Sequence, residues 1–216
     1  NALIKIIKPK YGFELIIQSD FPISSGLGGS SVVLSALIGC FNEFRNDKWT
    51  PYEIAEIAFE AERVHLGISG GWQDQYATVF GGLNFIEFRA DENIVLPIRL
   101  PEDSINELEE SLVLCYTKTN HDSNQIHENQ KLKSSKKEIK DNIKANVSLT
   151  YEMRNLLLKS DFISLGKCMD KAWQYKKTFS SKITNSYLNK IYDDALKNGA
   201  VGGKLLGAGG GGYFLF

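Results

Sequence analysis

The stretch Phe21-Pro-Ile-Ser-Ser-Gly-Leu-Gly-Gly-Ser-Ser-Val-Val33 decides how this chain is read. Upstream, Phe13-Glu-Leu-Ile-Ile-Gln18 alternates as a strand does. Downstream, the apolar run from Val32 to Phe44 reads as a largely buried helix. A Gly/Ser-rich loop thus carries the chain from a strand into a helix N-terminus, where unpaired N–H groups and the positive end of the dipole favour anions. Gly26, Gly28 and Gly29 lack a Cβ, so a phosphate can approach the backbone closely. Ser30 and Ser31 add hydroxyls suited to phosphate or to phosphate-bound magnesium. From composition alone, a tight turn with a serine N-cap reads equally well.

The rest of the chain sets limits on function. A length of 216 residues suits one large domain or two small ones, and 43% hydrophobic content is enough for a core. A net charge of −1 gives no electrostatic reason to expect nucleic acid or an anionic membrane. No apolar run reaches the roughly 18 residues that span a bilayer. Cys40, Cys115 and Cys168 are widely spaced in apolar contexts and read as buried, reduced thiols.

Taken in order, Leu3 to Ile7 and Gly12 to Ile17 read as strands. Thr50-Pro51-Tyr52-Glu53 is a capping box with proline at the first helical position, and Trp49 and Ile54 stand where a hydrophobic staple would be. Ile54, Ile57, Ala58, Ala61 and Val64 mark one helical face, and Arg63 is read as facing outward. Glu62 lies beside that face. Gln73-Asp74-Gln75 opens another helix, which Gly81-Gly82 ends, and Leu83 to Phe88 alternates as a strand. Val95 to Leu100 reads as a further strand and Leu112 to Tyr116 as a buried strand, with Pro101-Glu102-Asp103 as a linker. Ser123 to Lys159 is helical and polar, and its lysine run reads as a solvated face. Asp161 can cap the next helix, and a last helix stops at Asn198-Gly199. A domain boundary is placed near residue 108.

Phosphoryl transfer needs a cradle for the donor phosphates, a cation to neutralise them, and a group that orients or deprotonates the acceptor hydroxyl. Gly26 to Ser31 supplies the cradle. Ser30 and Glu62 are hard oxygen ligands for the cation, and Asp74 is a carboxylate at a helix start.

Three segments resemble the GHMP kinases. They are Pro22-x-x-x-Gly26-Leu27-Gly28-Gly29-Ser30-Ser31, then Ala61-Glu62-Arg63…Gly70-Gly71-Trp72-Gln73-Asp74-Gln75, and Gly203-Lys204-Leu-Leu-Gly207-Ala-Gly209-Gly210-Gly211-Gly212. Within that family the strings look most like the branch that phosphorylates D-glycero-D-manno-heptose 7-phosphate. The resemblance implies an α+β, two-domain fold: an N-terminal phosphate-loop domain over 1–108 and a ferredoxin-like C-terminal domain over 109–216, incomplete at both ends. It also implies ATP and Mg2+ as cofactors. ATP would lie on Gly26, Leu27, Gly28, Gly29, Ser30 and Ser31, metal on Ser30 and Glu62, and Asp74 would be catalytic. Gly71, Gln73, Gly209, Gly210 and Gly211 would line the active site.

The implied activity is that of a cytoplasmic sugar kinase acting on the anomeric hydroxyl of the heptose phosphate. Its partners would be the sugar phosphate and ATP, not nucleic acid or a membrane, with homo-oligomers allowed. The alternatives are a non-catalytic, truncated relative and a fucose or other sugar kinase. Two features depart from the pattern. No segment matches the family's front motif, so an unpaired sheet edge and instability of this segment alone are expected. Asn120-His121 stand where an arginine is expected, and Lys176 or Lys177 could meet a substrate phosphate.

Overall fold

The computed structural model describes residues 2–20, 26–119, 123–133 and 137–216. Pro22, Asn120, His121 and Lys136 lie outside the described residues. The chain divides into two units, Asn1–Ile23 with Gly28–Pro97, and Ser24–Leu27 with Ile98–Phe216.

The first unit begins with helix α1 (Ala2–Ile7), followed by α2 (Gly29–Glu43) and α3 (Pro51–Phe59). A π-helical segment (Glu60–His65) extends α3, and α4 (Gln73–Phe80) and an antiparallel hairpin of β1 (Asn84–Phe88) and β2 (Asn93–Pro97) complete the unit. The Thr50 capping box forms on both sides, with Pro51 at the first helical position. Trp49 and Ile54 pack on one cluster with Leu3, Ile38, Ala58 and Ala61. Asn42 ties the end of α2 to the start of α3: its Nδ2 donates to Trp49 O at 3.1 Å, and its Oδ1 accepts from Trp49 N at 2.8 Å. A second cluster joins Ala55, Tyr76 and Val95.

Two expected strands are corrected. Leu3 to Ile7 is helical because Leu3, Ile6 and Ile7 stand at helical spacing and meet the α2–α3 core together. A short apolar run cannot separate the two periods by itself. Residues 12–17 form no strand, since no described strand pairs with them, and Phe13, Leu15, Ile16 and Ile17 are exposed. No α-helical phase continues past Phe59 either. The wider turn brings Glu62 inward beside Ala61 and swings Val64 out to 68% exposure.

The second unit carries α5 (Glu102–Ser111), β3 (Leu114–Tyr116), α6 (Ser123–Lys133), α7 (Lys137–Leu158), α8 (Phe162–Phe179), α9 (Ser186–Lys197), β4 (Lys204–Leu205) and β5 (Tyr213–Leu215). The strands form an antiparallel sheet in the order β3-β5-β4. Trp173, Ile183, Leu188, Tyr192, Leu205 and Phe214 form the main core cluster, between helices and sheet. Asp161 and Asn185 cap α8 and α9 by accepting from Ser164 N and Leu188 N. Residues 101–103 are not a linker: Pro101 precedes α5 directly, and Glu102 and Asp103 sit in its first turn, where the helix dipole favours acids. Cys168 is buried as expected and Cys115 half-buried, but Cys40 is exposed on α2. Lys137, Lys140 and Lys144 lie on an exposed face of α7.

Candidate active site

Helix α2 starts without a side-chain cap. Its N-cap is Gly28, in the left-handed region at φ 70°, a conformation that any Cβ would strain. A Cβ built there would lie 3.5 Å from Asp74 Cβ, so the glycine also brings the backbone close to that carboxylate. The cap position is a glycine and so offers no side-chain oxygen, and Ser30 and Ser31 lie inside the first turn with their hydroxyls turned to Glu62. The first-turn N–H groups receive no side-chain cap from Gly28.

The hydroxyls converge on Glu62. Ser30 Oγ donates to Glu62 Oε1, Ser31 Oγ donates to Oε2 at 2.8 Å, and Gln75 Nε2 donates to the same Oε2. Gln75 Nε2 also reaches Ser31 Oγ at 3.2 Å. Glu62 is 1% exposed and Gln75 fully buried, so this carboxylate is held by donors away from bulk water. Arg63 Nη1 stands 3.6 Å from Glu62 Oε1 and adds a neighbouring positive charge. The same guanidinium is turned inward: Nε and Nη2 donate to Gly71 O at 3.3 and 3.1 Å and so fix the glycine-rich loop before α4. Asp74 is half-buried in the first turn of α4, and Gln73 Nε2 donates to its Oδ1 at 3.3 Å.

Of the residues singled out in the sequence, the first unit thus brings Ser30, Ser31 and Glu62 together and sets Gly28 against Asp74. Gly29 is the first residue of α2, and Gly71 and Gln73 serve as partners of Arg63 and Asp74. Sequence reading missed Arg63, which helical phase placed outward. It also missed Gln75, whose only signal was its place in the Gln-Asp-Gln string. Gln75 Oε1 is buried without a hydrogen-bond partner. An orphaned amide oxygen beside a carboxylate and two hydroxyls makes a hard-oxygen neighbourhood that suits a magnesium ion and its bound water.

Gly26 and Leu27 belong with the second unit, along with the C-terminal glycine loop between β4 and β5. Gly26 packs on Gly207, and a Cβ at Gly207 would fall 2.8 Å from Gly26 Cα. Gly210 N donates to Ile183 O at 2.8 Å, Gly209 abuts Ile183 and Gly211 abuts Thr119. Lys176 does not extend toward solvent. Its Nζ donates to Leu205 O at 2.8 Å and Gly207 O at 2.6 Å, and burial, reinforced by the charge of Lys204, pulls its pKa down to about 7. Lys177 lies over the ring of Trp173, 5.8 Å from its centroid.

Residues 1–82 match the N-terminal domain of the GHMP kinases, and residues 153–216 match their C-terminal domain. The chain belongs to the GHMP kinase family. Over 218 aligned residues this GHMP kinase chain is 38% identical to the D-glycero-alpha-D-manno-heptose 7-phosphate kinase of Campylobacter jejuni subsp. jejuni, covering 100% of the chain and 64% of that relative. It is 30% identical to the L-fucokinase/L-fucose-1-P guanylyltransferase of Bacteroides fragilis, covering 94% of the chain and 22% of that protein. The crystal structure of a D-glycero-D-manno-heptose 1-phosphate kinase from Bacteroides thetaiotaomicron superposes with a TM-score of 0.66 at 30% identity, over 92% of this chain and 55% of that one. The chain therefore spans under two thirds of the length of each of these GHMP relatives.

Proposed function

We propose that this chain carries the phosphotransfer site of a Mg-ATP-dependent sugar kinase, with the anomeric hydroxyl of D-glycero-D-manno-heptose 7-phosphate as acceptor. The observation that supports this most is the convergence of Ser30, Ser31 and Gln75 on Glu62, at a helix N-terminus whose cap glycine lies against Asp74. The 38% identity with a heptose phosphate kinase supports the acceptor class.

In this reading the uncapped first turn of α2 receives the donor phosphate oxygens on Gly29, Ser30 and Ser31 backbone N–H groups. Gly26 and Leu27 precede that turn in the sequence. Ser30 and Glu62 hold magnesium, with Gln75 and Ser31 fixing the carboxylate. Magnesium, when bound, offsets the negative charge of the phosphates. Asp74 orients the acceptor hydroxyl and takes its proton, positioned by the α4 backbone and by Gln73. The cytoplasm, where ATP is supplied, is the compartment this chemistry suits.

The test is ADP release from Mg-ATP, measured with and without the heptose phosphate. Sugar-dependent release supports the reading; ATP binding without release under either condition refutes it. The match to a fucokinase favours a second reading, in which the same site acts on L-fucose. Replacing the heptose phosphate by L-fucose in the assay separates the two.

A further inference from the structure

A lysine of α8 approaches the glycine loop between β4 and β5. Lys176 lies in the last turn of α8, and its ammonium is turned onto two main-chain oxygens of one loop, Leu205 O at 2.8 Å and Gly207 O at 2.6 Å. Among the described residues no carboxylate lies within ion-pair distance of Nζ, and the charged group that acts on it is another cation, Lys204 on β4. A buried ammonium without a counter-ion is costly unless its donors are used. Here the carbonyl oxygens provide that use.

Those oxygens belong to the residues that matter for loop position. Gly207 has φ 64° and packs on Gly26 so closely that a Cβ would overlap Gly26 Cα. Peptide planarity fixes the consequence: drawing Gly207 O toward Lys176 turns the Ala208 N–H to the opposite side. Leu206 N is already taken by Tyr213 O at 2.9 Å and Gly210 N by Ile183 O at 2.8 Å. The loop is therefore pinned at both ends of its β-hairpin and at its middle, and Lys176 is the side chain that pins its first turn.

We propose that Lys176 is a positioning residue whose ammonium clamps the first turn of the 204–212 loop and so holds Gly207 against Gly26, at the head of the phosphate loop. The nucleotide consequences rest on the phosphotransfer reading above; the clamp itself does not.

The test uses the full-length protein with Lys176→Met and Lys176→Arg. In the ligand-free protein, Lys176→Met is expected to raise amide hydrogen exchange across residues 205–212, and Lys176→Arg to leave it near wild type. In kinetics, Lys176→Met is expected to raise the KM for ATP about tenfold while kcat changes far less. The wild-type affinity for Mg-ATP is expected to weaken as pH rises from about 7 to 9, and the Lys176→Arg affinity to stay flat over that range. Unchanged exchange in Lys176→Met overturns the clamp. Equal losses in KM and kcat with a retained pH profile reduce Lys176 to a packing residue and also overturn it. If wild type neither binds ATP nor turns over, the phosphotransfer reading fails, and the exchange experiment still decides the clamp.

Discussion

Ser31 Oγ donates to Glu62 Oε2 across 2.8 Å, joining the first turn of α2 to the π-helical segment that follows α3, 31 positions apart in sequence. The bond is buried at both ends. It makes a hydroxyl in the first turn of α2 a support for the carboxylate, while the neighbouring Ser30 Oγ donates to the other carboxylate oxygen, Oε1.

Removing that carboxylate has two separable effects. Glu62→Ala strips the acceptor from Ser31 and Gln75 in a buried setting, and is expected to cost about 1–3 kcal/mol in urea denaturation. Glu62→Gln keeps the volume, and is expected to weaken divalent-ion binding at least about tenfold, read by Mn2+ titration in the presence of a nonhydrolysable nucleotide. Wild-type Mn2+ affinity in Glu62→Gln would remove Glu62 from the metal site.

Gln75 gives a sharper contrast. Gln75→Leu removes the donor to Glu62 and Ser31 together with the orphaned oxygen, whereas Gln75→Glu sets a second carboxylate against Glu62. Gln75→Leu is expected to lose divalent affinity. Gln75→Glu is expected to be the less stable at pH 7, by about 1 kcal/mol or more, because like charges are forced together away from water. Equal denaturation midpoints for the two would contradict the placement of the Gln75 side chain against the Glu62 carboxylate.

Stability should depend on pH through Lys176. In the unfolded chain a lysine keeps its proton to about pH 10.4, while burial lowers the folded value to about 7. Unfolding therefore takes up a proton between these values, and the Lys176 contribution to stability rises with pH across that window. Below about pH 7 both states are charged and the burial penalty is present in full. Midpoints measured from pH 6 to 9.5 should climb more steeply in wild type than in Lys176→Met. Parallel curves would mean that Lys176 keeps an ordinary lysine pKa in the folded protein.

The local elements that carry the candidate site are legible because they are written in short strings. Gly26 to Ser31 announced a helix N-terminus, the Thr50 capping box placed α3, and Asp74 stood at the start of α4 as its neighbours implied. What stayed hidden depends on helical phase and on long-range pairing. Continued α periodicity put Val64 in the core and Arg63 outside; the π turn reverses both and buries Glu62. Leu3 to Ile7 looked like a strand because a five-residue apolar run carries no decisive period, and only packing against Ile38 and Ala58 settles it. Gln75 and Lys176 are polar residues whose roles come from partners distant in sequence, which no local pattern reports.

The most direct measurement compares wild type with Asp74→Asn for ADP release with Mg-ATP and D-glycero-D-manno-heptose 7-phosphate, alongside ATP affinity by calorimetry. Wild type should release ADP only with the sugar. Asp74→Asn should lose about 10²–10⁴-fold in turnover while binding ATP almost as well. Turnover by Asp74→Asn within a few-fold of wild type would contradict the assignment of the acceptor proton to Asp74, and with it the proposed site.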